Sequence, residues 1–281
     1  MSGIVLAALD LPWPFEREYM QLALAAGLVV GASAPLIGVF LVQQRMALLG
    51  DGIGHLAFAG VAAGLLLEVW PVWSALVVAA LGALVIQLLR RRGTTTSDLA
   101  LALIFYGGIA LGIVLVSRAG AGSVNVLPYL FGSILTVEPG DVRLVVAVGI
   151  VIVVSITLLG RVLLASVLDE EAARVAGLPV DLASCMLAVL TAVTVVAAMR
   201  VVGVLLVAAL MVLPVASSRL LARSFRSTVT IAVGVGITSV VVGLVAAREW
   251  SLAPGGTIVL AATAVFAITA IARGRARRVA V

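Results

Sequence analysis

Asp51 and His55 are the residues whose types and spacing are best suited to holding a cation. They stand four apart in RMALLGDGIGHLAFAG (45–60), and His55 is the only histidine among 281 residues. At helical pitch, residues four apart share one face, one turn above the other. A carboxylate and an imidazole so placed can bind one divalent cation between them. That pair suits Zn²⁺, Mn²⁺ or Fe²⁺ better than Ca²⁺ or Mg²⁺, which prefer all-oxygen shells. Two ligands make a poor permanent site but fit a point of transit, where binding must be weak enough to release. A structural reading competes: Asp51 caps a helix, where the dipole favours it, and His55 bonds a neighbouring carbonyl. The apolar surroundings weigh against that reading, because ionisable groups inside membrane spans are costly and usually functional.

A second constellation is LDEEAARVAG at 168–177. Asp169 can serve as N-cap and Glu170 and Glu171 suit the first-turn dipole. Gly177 can close the helix in the left-handed region before Pro179. The segment predicts a two-turn helix across a membrane face, either a solvated connection or a docking peg for a partner. Pro214 interrupts an apolar run in which Ser217 and Ser218 could re-satisfy freed backbone groups. Such broken helices line pathways in some transporters, although a plain kink explains the proline better than a ligand site does.

The elements that position these residues follow from composition. The chain is 63% hydrophobic and 11% charged, with a mean hydropathy of +1.30. A soluble domain of this length would be near half apolar and a quarter charged. An all-α polytopic membrane protein is the reading that remains. Apolar runs predict spans near 19–43, 53–67, 72–89, 97–117, 142–164, 180–198, 202–221, 228–246 and 257–272. The stretch 124–137 contains Pro128 and Gly132 and is too short to cross, so a re-entrant half-helix is expected there. Residues 1–18 read as an interfacial lead-in, 19–272 as one transmembrane domain, and 273–281 as a basic tail. The opening has no basic stretch and is broken by Asp10, so it does not read as a cleaved signal. Cys185 stands alone, so no intrachain disulfide can form.

All 18 basic residues are arginines. With the tail in the cytoplasm, 13 of them fall inside: Arg45, Arg90, Arg91, Arg92, Arg161, Arg174, Arg219, Arg223, Arg226, Arg273, Arg275, Arg277 and Arg278. The positive-inside rule therefore expects an outside N-terminus and a cytoplasmic C-terminus in a bacterial plasma membrane. The same rule explains the high pI without nucleic acid. The absence of lysine excludes a GxxxxGK[ST] phosphate loop, so any ATP hydrolysis belongs to another polypeptide. One histidine and no HExxH leave too few ligands for an intramembrane metalloprotease.

The sequence resembles the membrane subunit of zinc/manganese ABC importers, the ABC-3 metal permeases. The matching stretches are RMALLGDGIGHLAFAGVA (45–62), YLFGSIL (129–135), LDEEAARVAGL (168–178), GVLLVAALMVLPVASSRL (203–220) and APGGTIVL (253–260), in family order. The resemblance implies a type II importer fold like that of vitamin B12 permeases, with eight or nine spans and a short re-entrant helix. It implies a pore formed with a second copy, ATPase subunits on the cytoplasmic side and an extracellular metal-binding protein or lipoprotein. By the same similarity, Asp51 and His55 contact the passing metal. The stretch 168–178, with Asp169, Glu170, Glu171, Ala172, Ala173, Arg174, Val175, Ala176 and Gly177, is the coupling helix. The segment with Pro128 and Gly132 is an outer gate, and Pro214 lies on the pathway. No cofactor is held permanently: the metal (zinc, manganese or iron) is cargo, and ATP sits on the partner. Two alternatives stay open, a metal-chelate or siderophore permease of the same fold and an ion-coupled carrier without an ATPase.

Overall fold

A computed structural model describes residues 13–91, 97–119 and 126–279. Residues 1–12 of the lead-in, Arg92, residues 124–125 of the short outer segment and residues 280–281 of the tail lie outside the described residues. Everything described is helix or turn. The long helices are α1 (Glu18–Gln43), α2 (Leu49–Leu66), α3 (Pro71–Arg91), α4 (Ser97–Arg118), α6 (Pro139–Leu168), α8 (Val180–Ala198), α9 (Val204–Leu221), α10 (Phe225–Glu249) and α11 (Pro254–Val279). Between them lie two short helices, α5 (Leu127–Phe131) and α7 (Glu170–Val175). Among the described residues, eight helices are long and apolar enough to cross a membrane, and α9 adds a shorter apolar one. The expected all-α polytopic architecture is what the chain adopts.

Boundaries moved where hydropathy is a poor guide to helix ends. Helix α2 begins at Leu49, so Asp51 lies inside its first turn, with Leu48 at the N-cap position and no side-chain cap. The capping role considered for Asp51 is therefore not the one it plays. The outer half-helix shrinks to five residues, because Gly132 turns the chain out of the helix at φ +74°. Pro254 opens α11, which runs on through the basic tail to Val279 instead of stopping near 272. In α9, Ser217 donates to the Leu213 carbonyl (2.9 Å) and Ser218 to that of Val215 (2.8 Å). Neither hydroxyl reaches the Leu210 carbonyl, the group left without its N–H partner by Pro214. The proposed re-satisfaction fails because a helical serine reaches only three or four residues back.

Packing centres on α1, α2 and α8, the most buried spans, while α4 and α11 are the most exposed. Helix α2 packs mainly on α4 and α3, α1 on α10, and α10 on α11. With lipid as apolar as leucine, these contacts rest on close backbone approach. Pro35 frees the Gly31 carbonyl in α1, and that carbonyl faces Gly236 of α10, where a β-carbon would collide with it. In the same way the Met211 carbonyl of α9 fills the space a side chain at Gly38 would need. Pro35 thus sits where Gly236 lets a second helix come close.

Two ends are distinguishable. One gathers Arg45, Arg90, Arg91 and Arg174 around a single cavity, with Phe40 against Phe225 (centroids 5.4 Å apart) and Arg273 bonded to the Leu220 carbonyl. The other holds the Tyr19–Arg248 contact, α5, and the ion pair between Arg200 and Asp141.

Candidate metal-transit site and its supports

Helix α2 carries both candidate ligands. Its first turn favours an acid, and Asp51 is the acid there. His55 follows one turn on, with Nε2 3.9 Å from Asp51 Oδ1. That is too long for a hydrogen bond. Donors at about 2.0–2.1 Å in a tetrahedral shell stand about 3.3 Å apart, so a small side-chain rotation would let both atoms bind one ion. The Asp51 side chain is 34% exposed and that of His55 14%, so the imidazole is the more enclosed ligand and the carboxylate the more accessible one.

The imidazole is held by α4. Phe105 meets it edge-on, with centroids 4.4 Å apart and planes at 74°. Gly108, one turn further, lies against the His55 backbone, and a β-carbon there would come within 3.1 Å of it. Gly54 makes a similar approach to the Val204 carbonyl at the start of α9. The pair thus sits where α2, α4 and α9 converge. Among the described residues, no group of three or more His, Cys, Asp or Glu side chains could hold a metal.

The stretch 168–178 folds as its residue types suggest, over fewer residues. Asp169 caps α7 by accepting from the Ala172 N–H at 2.9 Å. Gly177, at φ +77°, ends it. The Leu178 N–H reaches back to the Ala173 carbonyl and that of Gly177 to Arg174, the Schellman closure. Arg174 braces α7 internally through Glu170 (2.9 Å) and ties it to Asp181 of α8 (2.8 Å). Hydrogen bonds to Glu170, then Asp181, hold its guanidinium pKa above the usual value. Val175 on α7 and Leu168, the last residue of α6, are 89% and 78% exposed, so the braced α7 and the residue leading into it offer apolar side chains outward.

At the opposite end, Pro128 occupies the first turn of α5, where its missing N–H costs nothing. Gly132 follows and lies against Val201 and Val202, while Gly203 lies against Leu130 and Phe131. The Ser133 N–H donates to the Arg200 carbonyl at 3.2 Å, and the Arg200 side chain meets Asp141 at 3.3 Å. The short segment is strapped to the α8–α9 turn. Val204, which Gly54 approaches, directly follows Gly203, so the segment with Pro128 and Gly132 meets α9 beside the turn of α2 that carries Asp51 and His55. Pro214 lies in α9, three residues after Met211, whose carbonyl meets Gly38. Phe105, Gly108, Arg200 and Gly203 escaped sequence reasoning. Their partners lie on other helices, and no local pattern marks them.

A family model described as "ABC 3 transport family" matches residues 16–273. The chain belongs to this family. Relatives within it include the manganese transport system membrane protein MntC of Halalkalibacterium halodurans, 31% identical over 89% of this chain and 86% of that protein. The high-affinity zinc uptake system membrane protein ZnuB of Haemophilus influenzae is 30% identical over 92% and 99%. Among solved structures, PsaBC from Streptococcus pneumoniae in complex with a Fab superposes with a TM-score of 0.81, at 32% identity over 90% of this chain and 91% of that one. The ABC 3 membership and this superposition together place the chain among multi-pass ABC transporter membrane proteins.

Proposed function

We propose that this chain is the translocation subunit of an ATP-driven importer for a divalent transition metal. The observation that carries the reading is the Asp51 Oδ1–His55 Nε2 separation of 3.9 Å in a membrane helix, in a family whose relatives are a manganese and a zinc transport protein. A carboxylate with an imidazole accepts Mn²⁺, Zn²⁺ or Fe²⁺ and, with two ligands from one chain, lets go again. A second copy facing the first across the pathway would raise the ligand number transiently.

Energy enters from outside the chain, since no lysine is present for a phosphate loop. On this reading α7 is the coupling helix. Its exposed Val175 and its acidic first turn, with Leu168 at the end of α6, would seat on an ATPase subunit, and the Arg174–Asp181 pair would carry its displacement into α8. The arginine-rich end faces the cytoplasm. α5 then lies outside, as a gate beneath an extracellular metal-binding protein. ATP binding would draw two ATPase subunits together, shift both coupling helices and open the pathway on alternate sides.

The test is reconstitution. The chain is co-expressed with its candidate ATPase and placed in proteoliposomes, and accumulation of Mn²⁺ and Zn²⁺ is followed with and without ATP. Uptake of either ion that requires ATP supports the proposal. Accumulation indifferent to nucleotide would point instead to an ion-coupled carrier.

A further inference from the structure

The arginine-rich end contains a cavity of about 380 Å³ at the meeting of α1, α3, α6, α7 and α8. Its charged lining is Arg45, Arg90, Arg91, Arg174, Glu170 and Asp181. Among the described residues, four guanidiniums thus face two carboxylates, and the carboxylates are already shared. Asp181 serves Arg174 at 2.8 Å and Arg91 at 3.7 Å, while Glu170 serves Arg174. The Arg90 guanidinium reaches the Met46 sulfur at 2.8 Å and the Gln87 amide oxygen at 3.4 Å. Arg91 reaches the Cys185 sulfur at 3.3 Å. Gln87 is buried and fixed by donating to the Ser184 carbonyl, so the wall behind Arg90 is rigid. Arg45 enters the lining from a left-handed backbone at φ +59°, an unfavourable conformation for a side chain of its kind.

A cavity of this sign repels a metal dication, so it does not extend the Asp51–His55 site. Guanidinium forks that converge with too few carboxylates match an anion with several charged oxygens, and the phosphoryl group is the best fit. We infer that this cavity binds the phosphoryl group of an anionic ligand, from a phospholipid headgroup or a free phosphate compound, through Arg45, Arg90, Arg91 and Arg174. A phosphoryl group there would bridge the α1–α2 turn, the end of α3 and α7. The inference goes beyond the transport reading and does not rest on it.

Thermal unfolding of the full chain in a neutral detergent tests it. Phosphatidylglycerol, phosphatidylcholine and inorganic pyrophosphate are titrated separately. The expected result is a saturable rise in Tm with phosphatidylglycerol, and none with phosphatidylcholine, whose ammonium neutralises its phosphate. A rise with pyrophosphate as well shows that free phosphate compounds are accepted; a rise with phosphatidylglycerol alone identifies the lipid as the source. The response should vanish in an R45Q/R91Q variant and persist in R223Q/R226Q, which removes equal charge from the exposed α9–α10 turn. Should R45Q/R91Q fail to fold, Arg45→Gln alone, on an exposed turn, must still move the titration midpoint to higher ligand. No saturable rise with either anion, or a response unchanged by the cavity substitutions, overturns the inference.

Discussion

Gly132 and Gly203 lie back to back, each in the positive-φ region (+74° and +93°), and each fills the space the other's β-carbon would need. This contact joins the short helix α5 to the turn between α8 and α9. Gly255, at the start of α11, comes up against Val202 and Phe131 at the same place. Three segments far apart in sequence therefore meet through backbone.

Alanine at Gly203 would face two penalties, a left-handed backbone and a steric collision. The first, at φ +93° and ψ +140°, is a backbone that glycine almost alone adopts and costs on the order of 1–3 kcal/mol, and the second forces α5 off the turn. Gly203→Ala should lower the Tm of the purified chain and leave α5 more open to proteolysis. Gly256, whose β-carbon would meet nothing within 4 Å, is the control, and Gly256→Ala should leave the Tm nearly unchanged. Equal Tm values for both variants would show that the contact is slack.

Arg200 and Asp141 are 17% and 10% exposed in their side chains and 3.3 Å apart. Removing the Arg200 charge strands Asp141 in a largely enclosed site, which is worse than removing both. Asp141→Asn and Arg200→Gln should each destabilise the chain, and the double variant should recover part of the loss. A double-mutant cycle on unfolding midpoints should give a coupling of about 1–3 kcal/mol. Strict additivity would mean that water screens the pair.

Helix α7 offers a test of docking apart from metal chemistry. Glu171 and Val175 are exposed on it, whereas Glu170 and Arg174 brace it internally. Glu171→Lys and Val175→Asp should therefore leave the fold intact while reducing co-purification of the ATPase and its stimulation. Asp169→Ala removes the cap and should loosen α7 by about 1 kcal/mol, giving a milder version of the same defect. Unchanged co-purification in all three would remove α7 from the interface.

Much of this was legible in the sequence, for physical reasons. Lipid demands long apolar helices, and the span read at 180–198 is the helix found, Val180–Ala198. The local chemistry of Asp169 and Gly177 was legible too, because caps depend on near neighbours. Helix ends at the interface were less so. Hydropathy registers lipid contact, while α10 starts three residues before its apolar run, at the Ser224 cap. The apolar run suggests a span from 53, yet α2 starts at Leu49 and runs through Gly50 and Gly52 under the packing of α3, α4 and α9. The partners that aim the site lie wholly in tertiary structure. The Phe105 ring on His55 joins residues fifty apart, and nothing in either stretch announces it.

The most direct measurement is uptake of radioactive Mn²⁺ and Zn²⁺ by cells that carry the assembled transporter with Asp51→Ala or His55→Ala. Assembly is verified by ATPase co-purification. The account predicts that each variant assembles and that its uptake falls to that of cells without the transporter. Uptake of both ions near the unmodified level in both variants would contradict it.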